Sequence, residues 1–280
     1  MTVGADAIFR AHRTRPAKMP NFVISQAMHS IRSYIEDARS RHQKLFAVLV
    51  DPDDVDESSL DRIARQALDN GVDLFLVGGS LVTGTKLPDT IARLKTTTNL
   101  PVVIFPGSVQ QVDPQADALL FLSLISGRNP DLLIGNQVLA APYVKRSGIE
   151  AIATGYMLVD GGAPTTVSYI SNTLPIPADK NDIAVCTALA GEMLGMHTIY
   201  MDAGSGARQA IPASMIRAVS TQVDLPVIVG GGIRTPDQAY LSAEAGATVI
   251  VVGNAIEEDS NLISELSFAV HSASGQGVKR

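Results

Sequence analysis

Tyr200-Met201-Asp202-Ala203-Gly204-Ser205-Gly206, Pro226-Val227-Ile228-Val229-Gly230-Gly231-Gly232 and Val249-Ile250-Val251-Val252-Gly253-Asn254 follow one another along the chain, separated by helix-length spacers. Each is a short apolar run that ends in glycine. A backbone N–H without a neighbouring Cβ can approach an anion closely, and a following helix start adds aligned N–H groups and a positive dipole end. The ligand such tips suit is a phosphate. A strand turning sharply into a helix also uses glycine for the turn alone, but two glycine clusters on consecutive strands, each before a helix, favour the phosphate reading.

Working back from this stretch, β-branched or leucine-rich runs alternate with amphipathic stretches. The runs are Leu45 to Val50, Asp73 to Val77, Pro101 to Phe105, Ala118 to Leu122, Ala151 to Val159 and His197 to Met201, followed by the two glycine-tipped strands. They make eight strands. Most are apolar throughout, as expected of parallel strands covered on both faces, and helix-length crossovers are expected between them. The predicted fold class is α/β: a (β/α)8 TIM barrel, in which the loops after strands seven and eight frequently build a phosphate site.

Apolar Ile24, Ala27, Met28, Ile31, Ile35 and Ala38 recur at helical spacing between about 24 and 43, which predicts an extra N-terminal helix packed outside the barrel. Residues 1–20, with Pro16 and Pro20, read as a disordered extension, and 21–280 as a single barrel domain. Residues 163–177 read as a long functional loop.

Composition sets limits. Hydrophobic residues are 46% against 18% charged, yet no run is long enough to span a bilayer and no secretory pattern opens the chain, so a cytoplasmic protein is expected. A net charge of -6 argues against a general nucleic-acid surface. The lone Cys186 cannot form an internal disulfide, and no Cys/His cluster has zinc spacing.

Three acidic or hydroxyl positions can carry chemistry. Asp51, in Asp51-Pro52-Asp53-Asp54, ends the first strand at the barrel mouth and reads either as a helix cap or as a ligand of a hard cation. Ser80, after Gly78-Gly79, can give its hydroxyl to the same cation or cap a helix. Asp202 places a carboxylate beside the phosphate-type turn, as a general base or as a group that orients a hydroxyl.

With these residues assembled, the chain resembles the geranylgeranylglyceryl phosphate synthase family, whose bacterial relatives include heptaprenylglyceryl phosphate synthase. The markers are Val50-Asp51-Pro52-Asp53, Leu76-Val77-Gly78-Gly79-Ser80, Arg128-Asn129-Pro130 with Gly135-Asn136-Gln137, Gly155-Tyr156, the Tyr200 to Gly206 stretch, Gly230-Gly231-Gly232-Ile233 and Val251-Val252-Gly253-Asn254. They cover about Lys44 to Val270. The heptaprenyl branch has lysine two positions before the first aspartate; Leu49 stands there in this chain, which is closer to the archaeal-like second branch. Asp202 stands where the family often has glutamate.

The resemblance implies transfer of a polyprenyl group, geranylgeranyl being the expected one, from its diphosphate to the C3 hydroxyl of sn-glycerol 1-phosphate in ether-lipid biosynthesis. It implies Mg2+ at Asp51 and Ser80, and acceptor contacts from Tyr200, Met201, Asp202, Ala203, Gly204, Ser205, Gly206, Gly231, Gly232, Gly253 and Asn254. A homo-oligomer, dimer or hexamer, and peripheral contact with membrane are expected with it. The prenyl chain needs an apolar groove, which Phe105, Phe121, Tyr143, Tyr156 or Tyr169 are candidates to close. The competing readings are another phosphate-handling barrel, an isomerase or lyase, and a non-catalytic barrel that only binds a phosphorylated ligand.

Overall fold

The computed structural model describes residues 30–275. The expected disordered extension, and the part of the leading helix before residue 30, lie outside the described residues.

Eight parallel strands close into one barrel: β1 (Leu45–Val50), β2 (Leu74–Val77), β3 (Val102–Ile104), β4 (Ala118–Leu124), β5 (Glu150–Leu158), β6 (Thr198–Asp202), β7 (Val227–Gly230) and β8 (Val249–Val252), with β8 pairing back on β1. Period-two alternation splits each strand between two cores. Leu45, Ala47, Leu74, Leu76, Ile228 and Val251 fill the interior. Phe46, Val48, Phe75 and Val229 face outward, against helix residues such as Leu60, Ile63 and Ile216.

The leading helix, α1 (Ile31–Ser40), lies outside the strands, across the N-terminal end of the barrel. Its buried Ile31, Ile35 and Ala38 join the interior cluster. The helix is pinned at the N-terminal ends of the strands. Glu150, which opens β5, accepts the Ile31 and Arg32 N–H groups at 2.7 and 3.0 Å, and Arg39 Nη2 donates to the Val223 carbonyl at 2.9 Å. The apolar stripe of a helix needs an apolar partner. The stripe can be read from sequence, but which of the two barrel surfaces receives it cannot.

The helices α2 (Glu57–Asp69) and α3 (Leu87–Thr97) follow β1 and β2. No helix joins β3 to β4, where the sequence shows no helical stretch either. A loop over 105–117 makes that connection. After β4 comes a π-helical turn, Asp131–Gly135, which runs into α4 (Asn136–Ser147). The functional loop at 163–177 contains a short helix, α5 (Thr166–Ser171), set by a capping box between Thr165 and Ser168. The remaining elements are α6 (Asn181–Met193), α7 (Ala213–Ser220), α8 (Pro236–Glu244), α9 (Asn254–Glu258) and α10 (Leu262–Ser272). Among the described residues no helix is long and apolar enough to cross a membrane.

Candidate active site

Two adjoining cavities open at the C-terminal ends of the strands. One, at the barrel mouth, is lined by Asp51, Asp54, Ser80, Asp202, Ser205, Gly206, Gly231, Gly232, Gly253 and Asn254 among others. The second is an apolar groove bounded by Leu119, Phe121, Ala140, Val144, Val167 and Ile170. Gly79, Ser80 and Phe105 line both.

The groove exists because the β3 to β4 connection has no helix. The outward side of β4, which a crossover helix would help cover, is left to α4 and α5. The Arg128 to Gln137 motif builds the wall. Asn129 donates to the Ser171 carbonyl at 3.0 Å, Ser123 donates to Leu133 O at 2.7 Å, and Gln137 Nε2 bridges Leu122 O and Leu132 O. The Gln137 amide and the Ser123 hydroxyl thus tie the π-helical turn to the end of β4. Of the aromatic candidates, Phe105, Phe121 and Tyr156 line the groove; Tyr143 and Tyr169 are exposed and do not.

At the mouth, the two aspartates of Asp51-Pro52-Asp53 have different tasks. Asp53 Oδ2 accepts the Thr83 and Gly84 N–H groups at 2.7 and 3.0 Å, and these bonds hold its pKa below the usual carboxylate value. It staples the β2 loop. Asp51 is left facing the cavity, with Oδ1 accepting the Asp53 N–H at 3.0 Å. A Cβ on Gly79 would lie 2.1 Å from Asp51 Oδ2, so a side chain there would push that carboxylate aside. Burial raises the Asp51 pKa; the Asp53 N–H opposes this, and the charges of Asp54 and Asp53 add to it.

Asp202 is buried at the end of β6. Its Oδ2 accepts the Tyr156 hydroxyl at 2.5 Å, and its Oδ1 accepts the Gly204 N–H at 2.8 Å. Burial raises its pKa, while both hydrogen bonds act in the opposite direction. Tyr200 lies beneath it, its ring stacked on Phe105 at 5.1 Å between centroids. A carboxylate oriented by two donors and kept from bulk water can accept a proton from a hydroxyl held in the mouth.

The glycine turns close the far side. Gly231 has φ +79°, and a Cβ there would fall 2.5 Å from Asp202 Oδ1 and 2.7 Å from the Ala203 and Gly204 nitrogens. Ser205 donates to Asn254 Oδ1 at 3.1 Å, joining the loops after β6 and β8. Of the expected acceptor contacts, Tyr200, Asp202, Ser205, Gly206, Gly231, Gly232, Gly253 and Asn254 line the mouth. Met201, Ala203 and Gly204 do not. Met201 and Ala203 face the outer core, as the alternation along β6 requires, and Gly204 packs against Thr165.

The mouth offers a cation hard oxygen donors from Asp51 and Ser80. Among the described residues no group of three or more His, Cys, Asp or Glu is placed to hold a metal. A hard cation such as Mg2+ takes one or two carboxylates and completes its octahedron with water and substrate phosphate.

Sequence reasoning passed over two residues here. Glu257 lines the mouth and accepts the Asp51 N–H at 3.0 Å; its pKa is pushed up to about 7 by burial, opposed by that bond and reinforced by Asp54, Asp51 and Glu258. Arg234 lines the same cavity, with Nη2 donating to Ala207 O at 3.1 Å. Tyr156, a candidate groove wall and part of the Gly155-Tyr156 marker, has a second role that the sequence does not show: its hydroxyl holds Asp202. Only barrel closure signals the first of these, since it sets the segment after β8 beside the end of β1.

Comparison with known proteins agrees with this geometry. A model of the PcrB family matches residues 38–270. The geranylgeranylglyceryl phosphate synthase of Chitinophaga pinensis is 58% identical over 237 residues, 85% of this chain and 94% of that protein. The protein of the same name from Spirosoma linguale is 51% identical, over 84% of this chain and 95% of its own length. The crystal structure of (S)-3-O-geranylgeranylglyceryl phosphate synthase from Thermoplasma acidophilum, in complex with substrate sn-glycerol-1-phosphate, superposes with a TM-score of 0.83 at 33% identity, covering 88% of this chain and all of that one. A barrel whose strand ends gather the expected acid, tyrosine and glycine residues is therefore matched in sequence over most of its length, and the chain belongs to the PcrB family.

Proposed function

We propose that this barrel transfers a polyprenyl group from its diphosphate to the C3 hydroxyl of sn-glycerol 1-phosphate, forming an ether and releasing diphosphate. The observation that carries the reading is the junction of the two cavities at Gly79, Ser80 and Phe105. An apolar chain in the groove brings its head to the point where Asp51, Ser80 and Asp202 meet. The names of the relatives support the same reaction, with geranylgeranyl as the donor group.

The chain's own residues divide the work. The glycine tips after β7 and β8, with Ser205 and Asn254, receive the acceptor's phosphate and turn its hydroxyl toward Asp202. Asp202 accepts the hydroxyl proton as the new C–O bond forms and the allylic C–O bond to diphosphate breaks. Asp51 and Ser80 would hold Mg2+, which when bound neutralises charge building on the diphosphate oxygens. The buried side chains of Phe105 and Tyr156 keep water from the allylic carbon.

The reading includes a homo-oligomer, dimer or hexamer, visible by light scattering, a cytoplasmic location and surface contact with the membrane that supplies the lipid donor. Incubation of labelled sn-glycerol 1-phosphate with prenyl diphosphates of several lengths and Mg2+, followed by organic extraction, tests the reaction. A labelled lipid product is expected; label that stays wholly in the aqueous phase contradicts it.

A further inference from the structure

The five-residue helix α9 touches both ends of the mouth. Its first residue, Asn254, accepts the Ser205 hydroxyl on the acceptor side. Its fourth, Glu257, accepts the Asp51 N–H at 3.0 Å on the opposite side. Residues three apart lie on one face of a helix. That face is fixed from behind, because Ala255 and Ile256 are 7% and 0% exposed and anchor α9 in the outer core.

Two hydrogen bonds hold Asp51: Glu257 accepts its N–H, and its Oδ1 accepts the Asp53 N–H. The second of these is local, two residues on in the chain. Glu257 alone reaches across from the last strand, and it does so beside Asp54 and Asp51, in a place where a neutral acceptor would make the same bond without placing another carboxylate among acids.

We propose that Glu257 is a positioning residue for Asp51, fixing the direction in which that carboxylate meets a divalent cation and linking the cation end of the mouth to the acceptor end through α9. This rests on the cation role given to Asp51 above. Glu257 acts through the Asp51 backbone and is not a ligand. An outer support of this kind changes metal affinity by about 10-fold to 100-fold when removed.

The test compares the full-length wild type with Glu257→Ala and Glu257→Gln. Gln keeps the acceptor oxygen and drops the charge. Binding of Mn2+ in the presence of inorganic diphosphate, read from the free-ion paramagnetic resonance signal, reports cation affinity without turnover. Hydrogen exchange of the Asp51 amide reports the bond itself. The expected result is that Glu257→Ala weakens Mn2+ binding by about tenfold or more and speeds exchange at Asp51, while Glu257→Gln stays close to wild type in both. Equal weakening in both variants with slow exchange at Asp51 in Glu257→Gln would make Glu257 a ligand or a charge, and would overturn the proposal. So would unchanged Mn2+ affinity in Glu257→Ala. A wild type that binds no Mn2+ removes the cation role and this proposal together, while formation of labelled lipid remains a separate test of the reaction.

Discussion

The Tyr156 hydroxyl donates to Asp202 Oδ2 at 2.5 Å, so one side chain is both a wall of the apolar groove and the holder of the buried carboxylate. The bond favours the charged form of Asp202 and works against the burial that raises its pKa. Tyr156→Phe should therefore raise that pKa further. Activity that needs the carboxylate is lost as pH falls through the pKa, so the acid limb of kcat/KM should move to higher pH in the variant. An acid limb at the wild-type position would separate Tyr156 from the base.

Asp51→Asn should lower turnover on the order of 10²-fold, the scale of losing one stabilising group for developing charge. Its Oδ1 bond to the Asp53 N–H survives the change, which keeps the loop in place. Turnover that persists unchanged in EDTA would remove the metal from the reaction.

The glycine tips differ in what substitution can report. Gly232→Ala would set a Cβ 2.4 Å from the Gln209 carbonyl at φ +70°, so it deforms the loop before any ligand arrives. Gly253→Ala meets only Leu49, at 3.4 Å and beyond. That variant should fold normally and raise the acceptor KM by about tenfold, as one hindered N–H contact to an anion is worth roughly 1.5 kcal/mol or more, with the donor KM unchanged. An equal rise in both would argue against a phosphate site there.

Lys44 is 5% exposed at the closed end of the barrel, with Nζ donating to Ala247 O at 2.9 Å, and burial lowers its pKa to about 8 from 10.5. The folded state thus binds fewer protons than the unfolded state between those values, and stability attributable to this group rises as pH climbs from about 8 to 10.5. The full difference is on the order of 3 kcal/mol. Relative to Lys44→Met, wild-type urea stability should increase across that window; parallel curves would contradict the burial argument.

Much of this site could be read from the chain because its markers are local. Strands β1 and β8 run over Leu45–Val50 and Val249–Val252, as their apolar runs predict, and the residues after them form the mouth. What the chain concealed depends on contacts distant in sequence. The α1 stripe does not say which apolar surface it will meet. Glu257 reaches Asp51 across 206 positions. Met201 and Ala203 share a motif with residues of the mouth, although alternation along β6 turns both away from it.

In the proposed reaction Asp202 takes the acceptor's proton. Asp202→Asn keeps the size of the side chain and an oxygen for the Tyr156 hydroxyl, but removes the charge. Steady-state kinetics at saturating prenyl diphosphate, with sn-glycerol 1-phosphate varied, measure the consequence directly. The expected kcat is lower by roughly 10²-fold or more, the usual scale of a lost general base, with the acceptor KM little changed. A raised KM with kcat nearly intact would instead mean that Asp202 only binds the acceptor in its ground state.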